Sequence, residues 1–497
     1  MVAHTLLASG TRRGVGQRLW EEAVIVSLKW LALLALPLGV ASGAQNASMP
    51  SLPGADSDPL RVDMARDPIL ALARRQADRG LFQDVVASAV RRHPGTAEAL
   101  AGRQEATAVL EEARERQLPS IDLSVTSYRV LSREFSNDLE NIVERSRPNS
   151  RTDAIAAVNY TLFDFGAGEA RVQAAGARLR AAAADVETGA DRIALNAVAA
   201  WYDVFAFRAL LAVATGAVRD QEGLRADVRT RIAGGASAAG DVALVDNFVA
   251  SAGTRLAEIR RQLANAESRY TELVGAPPPA DLARAPVPAV PRSERIEAEL
   301  AARRSPAVRA ATLAAEAAQQ DAQAVRSDNL PQIGIGLDAG RYGVFENDRD
   351  YDIRARVTLR QRFFGGIDAR ARQAAARATG AEARASRIGD EAARDASIAW
   401  SDVAALEQQL AALEASYIAT RRTRDVVAAR FSASRGTLFD VASAESSYFQ
   451  TATAYIRTLS ELDAARYVLL SRTGTLLPAL GIDAVRFVDV PHNGIVR

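Results

Sequence analysis

No cysteine occurs among the 497 residues. This excludes disulfides, thiolate metal sites, a cysteine nucleophile and a lipid-bearing cysteine. Lys29 is the one lysine among 61 basic residues, so arginine carries nearly all the positive charge and a lone arginine signals little. The only histidines are His4, His93 and His492, too few and too scattered for a histidine metal cluster or a histidine-based hydrolase. Against the 61 basic residues stand 60 acidic ones, and so small a net charge argues against a nucleic-acid binder.

Long hydrophobic runs are also scarce. Residues 1–29 carry Arg12, Arg13, Arg18 and Lys29, then comes the apolar run Trp30 to Ala41, then the small residues Ser42-Gly43-Ala44. That order reads as a signal peptide, residues 1–44, removed after Ala44. Its apolar run has about 12 residues, where a membrane-spanning helix needs ~20. No later run reads as a transmembrane helix. The protein is therefore expected to be exported, and to be either soluble beyond the inner membrane or a β-barrel.

What is present is a duplication. His93-Pro94 and Leu118-Pro119 recur as Ser305-Pro306 and Leu330-Pro331, offset by 212. Trp201-Tyr-Asp-Val204 recurs as Trp400-Ser-Asp-Val403, Asp241-Val-Ala243 as Asp440-Val-Ala442, and Gly275 as Gly474, all offset by 199. After a leader (45–79), a first repeat covers 80–275 and a second covers 295–474, with a tail over 475–497. The linker 276–294 holds six prolines by Pro291, which exclude a helix and make a stiff, extended connector.

Each repeat reads as helix, two strands, long helix, return helix. The first helical segment spans Leu81 to Gln117 and stops at Leu118-Pro119, because the residue before proline avoids the helical region. Ile121 to Thr126 and Asp153 to Phe163 alternate as strands, as do Ile333 to Ala339 and, most clearly, Tyr351 to Arg360. In the last, Tyr351, Ile353, Ala355, Val357 and Leu359 share one face. Asp352, Arg354, Arg356, Thr358 and Arg360 share the other. Strands of ~10 residues suit a tilted transmembrane barrel, with apolar residues toward lipid and polar ones toward a wet lumen. Four strands cannot close a barrel, since ~8 is the practical minimum. The sheet stays open or several chains pool their strands.

Glycine pairs at Gly166/Gly168 and Gly365/Gly366 suit sharp turns from strand into helix. Alanine-rich helices follow, over about 167–232 and 368–433, each long enough to span ~100 Å. They end in turns containing Gly234, Gly235 and Gly240, and Arg435 and Gly436. Asp241 and Asp440 stand where the return helices begin, as N-caps or first-turn acids.

The duplicated order of parts resembles the TolC family of outer-membrane channels. So do Phe163-Asp-Phe-Gly166, Gly240-Asp241-Val242 and Gly436-Thr-Leu-Phe-Asp440-Val. The resemblance implies a mixed α+β membrane protein. Three chains would each give four strands to one 12-stranded β-barrel, continued by a long periplasmic α-helical barrel of coiled-coil helices. It further implies an outer-membrane location in a Gram-negative cell, outer-membrane lipid around the barrel, no cofactor and no catalysis. Its expected partners are a periplasmic adaptor and an inner-membrane ABC transporter or RND pump. In the family the helix-turn tips close the periplasmic entrance through acidic rings and inter-helix polar links. The matching positions are Asp241, Asp440 and Arg435. A second acidic residue, expected three positions after Asp440, falls on Ser443, with Glu445 nearby as its substitute. Arg354, Arg356 and Arg360, with Arg362, would line a basic lumen that favours anionic passengers or, more plainly, keep it wet.

The leading functional expectation is export of a protein toxin or adhesin by type I secretion. Many relatives in the efflux branch begin with a lipidated cysteine, and this chain has no cysteine. Multidrug or metal efflux is the alternative. A soluble periplasmic coiled-coil scaffold and an exported enzyme are the other classes weighed. For the enzyme, no catalytic motif stands out.

Overall fold

The computed structural model describes residues 49, 51–56, 64–134, 142, 148–235, 237–289, 294–346 and 350–483. The signal-peptide reading of 1–44 lies outside these described residues.

The first repeat opens with α1 (Arg79–Arg92) and α2 (Pro94–Glu115). The sequence reads this stretch as one helical segment, but His93 breaks it. Its backbone is extended because proline follows, and its Nδ1 accepts the Gly95 N–H at 3.0 Å, capping α2. Strands β1 (Ser120–Arg129) and β2 (Ser150–Phe163) come next, then α3 (Ala167–Ala233) and α4 (Asp241–Val274). The second repeat has the same order: α5 (Arg295–Ala302), α6 (Pro306–Ser327), β3 (Gln332–Arg341), β4 (Tyr351–Arg360), α7 (Ile367–Ser432) and α8 (Leu438–Arg472).

The four strands form one antiparallel sheet in the order β1-β2-β3-β4. Both strand-to-helix elbows use left-handed backbone. Gly166 and Gly366 cap the long helices at φ 81°, as the glycines there suggest. Phe165 (φ 54°) and Phe364 (φ 64°) are left-handed too, which is rare for an aromatic residue and invisible in the sequence pattern.

Alanine's helix propensity and the lack of proline carry α3 through 67 residues, roughly 100 Å at ~1.5 Å per residue. The sequence-level scan passes over the fact that α3 is long and apolar enough to cross a membrane, but most of that apolar stretch is buried inside the protein. Its first half packs on α2 and α6 and its second half on α4 and α8. Ion pairs mark the antiparallel register along α6: Arg171–Asp328, Arg178–Asp321, Arg180–Glu316 at 2.6 Å and Glu187–Arg309 at 2.7 Å. They lie at the surface, so each contributes ~0–1 kcal/mol and they fix alignment more than stability.

The main core sits mid-bundle, where the leader and the linker cross. Trp201 is fully buried, edge-on to Phe82 at 5.3 Å, and its indole N–H donates to the Ala283 carbonyl at 2.9 Å. Burying a side chain such as Phe82 contributes roughly 1.5–3 kcal/mol. Arg284 of the linker holds the buried Asp463 of α8 through Nη2 at 2.8 Å, and its backbone carbonyl accepts from Ala77 at 2.7 Å. Leu52, Ile69, Leu70 and Leu72 of the leader and Leu476, Leu477, Leu480 and Ile482 of the tail are buried in the same core.

Candidate functional site

The strand register decides what the sheet can do. Ile121, Leu123 and Val125 stand opposite Val158, Ala156 and Ala154. Those in turn meet Leu337, Ala339 and Arg341, and the next rungs join Ile335, Leu337 and Ala339 to Val357, Ala355 and Ile353. Apart from Arg341 near its far end, that face is apolar across all four strands, and none of the described residues covers it. Ile121, Leu123, Val125, Ile353, Val357 and Leu359 are each 65–77% exposed. Such a patch is untenable in water and suited to lipid.

The opposite face is polar. It carries Arg354, Arg356 and Arg360, as β4 by itself predicts, but also Asp122, Arg151, Asp153, Asp338 and Asp352. Arg356 pairs with Asp338 at 3.2 Å and donates to Asn159 at 3.3 Å, reaching across Gly336, which leaves room for it. Arg354 pairs with Asp352, and Arg151 with Asp153 at 2.8 Å. The surplus of positive charge read from β4 is thus offset. Asp352 and Asp153 pair with arginines two residues away on their own strands, while Asp338 of β3 meets Arg356 of β4 only through the register.

At the far end of the helices the two turns lie side by side. Val228 and Val245 of the first hairpin pack with Phe431, Leu438 and Val441 of the second. Gly234 caps α3, and Gly235 takes φ 72°. Gly240 precedes Asp241, whose carboxylate accepts the Ala238 N–H at 3.2 Å. In the second turn Ser434 is left-handed at φ 58°, and Arg435 and Gly436 are exposed. The cap of α8 is Thr437, not Asp440. Its hydroxyl accepts the Asp440 N–H at 3.2 Å and donates to the Asp440 carboxylate at 2.7 Å, a reciprocal capping box. Those bonds, the hydroxyl first, hold the Asp440 carboxyl below its ordinary range. Glu445 does not join the tip. It turns into the bundle toward Arg424 at 3.4 Å, and burial pushes its carboxyl up.

The link between hairpins is a residue the sequence reading misses. Arg231 donates to the Phe431 carbonyl at 2.8 Å and lies over the Phe431 ring at 4.2 Å. In so arginine-rich a chain no pattern singles it out.

An open sheet with one exposed apolar face is thus set on a bundle of very long helices whose hairpin turns lie at the far end. The family model described as "Outer membrane efflux protein" matches residues 85–276. No curated protein sequence matches the chain. Solved structures do. The outer membrane protein VceC of Vibrio cholerae is 19% identical with TM-score 0.70, covering 80% of this chain and 96% of its own. The outer-membrane channel OprN is 18% identical with TM-score 0.71, covering 86% and 95%. The Campylobacter jejuni CmeC outer membrane channel is 14% identical with TM-score 0.68, covering 82% and 88%. At such identities these likenesses speak to the fold alone. The first repeat matches that family's model, and the fold is that of these solved outer-membrane channels.

Proposed function

We propose that three copies close a 12-stranded barrel and a helical tunnel, and that this duct passes polypeptides out of the cell by type I secretion. A periplasmic adaptor and an inner-membrane ABC transporter would feed it at the helix-turn tips. The observation that carries the duct is the uncovered apolar face of an open, four-stranded sheet, which needs lipid on one side and further strands at its edges. A lumen whose charges are paired along the wall suits an unfolded chain of mixed charge, because it traps neither sign. Efflux of drugs or metals with an RND pump is the second reading, favoured by the family description. Deleting the gene and measuring both the exoproteome and drug sensitivity separates them. Loss of one large secreted protein is expected. An unchanged exoproteome with raised drug sensitivity would overturn the secretion reading.

A further inference from the structure

The two free edges of the sheet carry complementary charges on the lumen face. Every other charged residue of that face finds a partner on its own wall: Arg151 with Asp153, Arg354 with Asp352, Arg356 with Asp338. Asp122 on edge strand β1 and Arg360 on edge strand β4 have no partner among the described residues, nor does Arg362 just beyond β4. They have opposite signs, stand on opposite edges and lie at the same end of the sheet, where the strands meet the helices.

We propose that Asp122 of one copy pairs with Arg360 and Arg362 of the next, locking the seam at which β4 meets a neighbouring β1. This rests on the trimeric reading above.

The duplication supplies the geometry. Pro119 and Pro331 are equivalent, so Asp122 occupies the place that Gly334 holds in the second repeat. Ser120↔Asn159 and Gln332↔Arg360 are then equivalent rungs, so Arg360 stands where Asn159 stands in the first. Inside the chain, β2 already meets β3 as β4 would meet a second β1. At that joint Gly334 faces Thr161 directly and Asn159 diagonally, because Asn159 faces Gly336. Carried to the seam, Asp122 faces Arg362 directly and Arg360 diagonally. A diagonal separation of ~7–8 Å is within reach of an arginine. Both edges present unpaired backbone groups, so seam hydrogen bonds can form along with the ion pair.

With no native cysteine, introduced ones report without background. Full-length D122C/R362C and D122C/R360C, each with both cysteines in one chain, are treated in membranes with a short thiol cross-linker. A covalent trimer that reducing agent reverses, when the linker is cleavable, is expected for at least one pair. It should be absent for I121C/R362C, because Ile121 points toward lipid. Charge reversal adds a second readout: D122R should lower the melting temperature of the detergent-extracted trimer, and R360D/R362D in the same chain should restore it. A trimer by native mass that cross-links through neither pair overturns the seam alone. A chain that is monomeric both in membranes and in detergent overturns the trimeric reading and the seam with it.

Discussion

Asp191 shows how one carboxylate can be placed against its own charge. It lies on α3 against the end of α8, where Ser471 donates to it and Arg472 stands near. Burial outweighs both and pushes its carboxyl up to about 6 from an ordinary 3.8. Folding therefore favours its protonated form. That contribution is complete below the unfolded value and is lost as pH rises through about 6. Asp191→Asn cannot ionise, so it should stabilise the protein at pH 8 by about 3 kcal/mol at most and leave pH 4 unchanged. Melting temperatures at the two pH values check this, and equal shifts at both would sink it. Asp440 is a contrasting acid, fully exposed and held ionised by Thr437. The sequence marks it as an acid at a helix start, but only the coordinates show that Thr437 is the cap.

At the scale of elements, the hairpin tips are held by few contacts: a small apolar cluster and Arg231 bonded to the Phe431 carbonyl. Arg231→Ala removes a polar link between the hairpins, to the Phe431 and Ser432 carbonyls. In planar bilayers it should raise single-channel conductance, while circular dichroism stays unchanged. Asp241→Ala with Asp440→Ala should lower cation preference, because it removes two carboxylates from the helix-turn tips. Unchanged conductance and selectivity in both variants would leave these residues as local caps. Element type was highly legible. The strand β4 and the return helix α4 lie where alternation and the turn residues put them. The left-handed Phe165 and Phe364 were not, because they depend on how a strand is aimed at the helix that follows, whereas the break at His93 is written locally in Pro94.

For the whole molecule, the uncovered apolar face predicts behaviour that a soluble scaffold would not share. The protein should need detergent for extraction and run on a gel as an oligomer that heating converts to monomer. Recovery of all the protein in the aqueous periplasmic fraction would count against the channel. The same face explains a difference in α3. Its apolar stretch looks fit for a membrane by length, yet tertiary packing spends it on the bundle core, while strands of modest hydrophobicity keep their apolar face uncovered.

The sequence by itself determined the duplication, the alternation of the strands, the length of the helices and the absence of thiol and histidine chemistry. Those features are local or periodic, and a single chain records them directly. Only the tertiary structure decided which charges face each other. Asp338 reaches Arg356, and Arg231 reaches Phe431, because register and helix packing bring together residues far apart in the chain. The charge balance of the polar sheet face is partly local, since Asp352 and Arg354, like Arg151 and Asp153, stand two residues apart on one strand. The rest belongs to the register, which sets Asp338 of β3 beside Arg356 of β4.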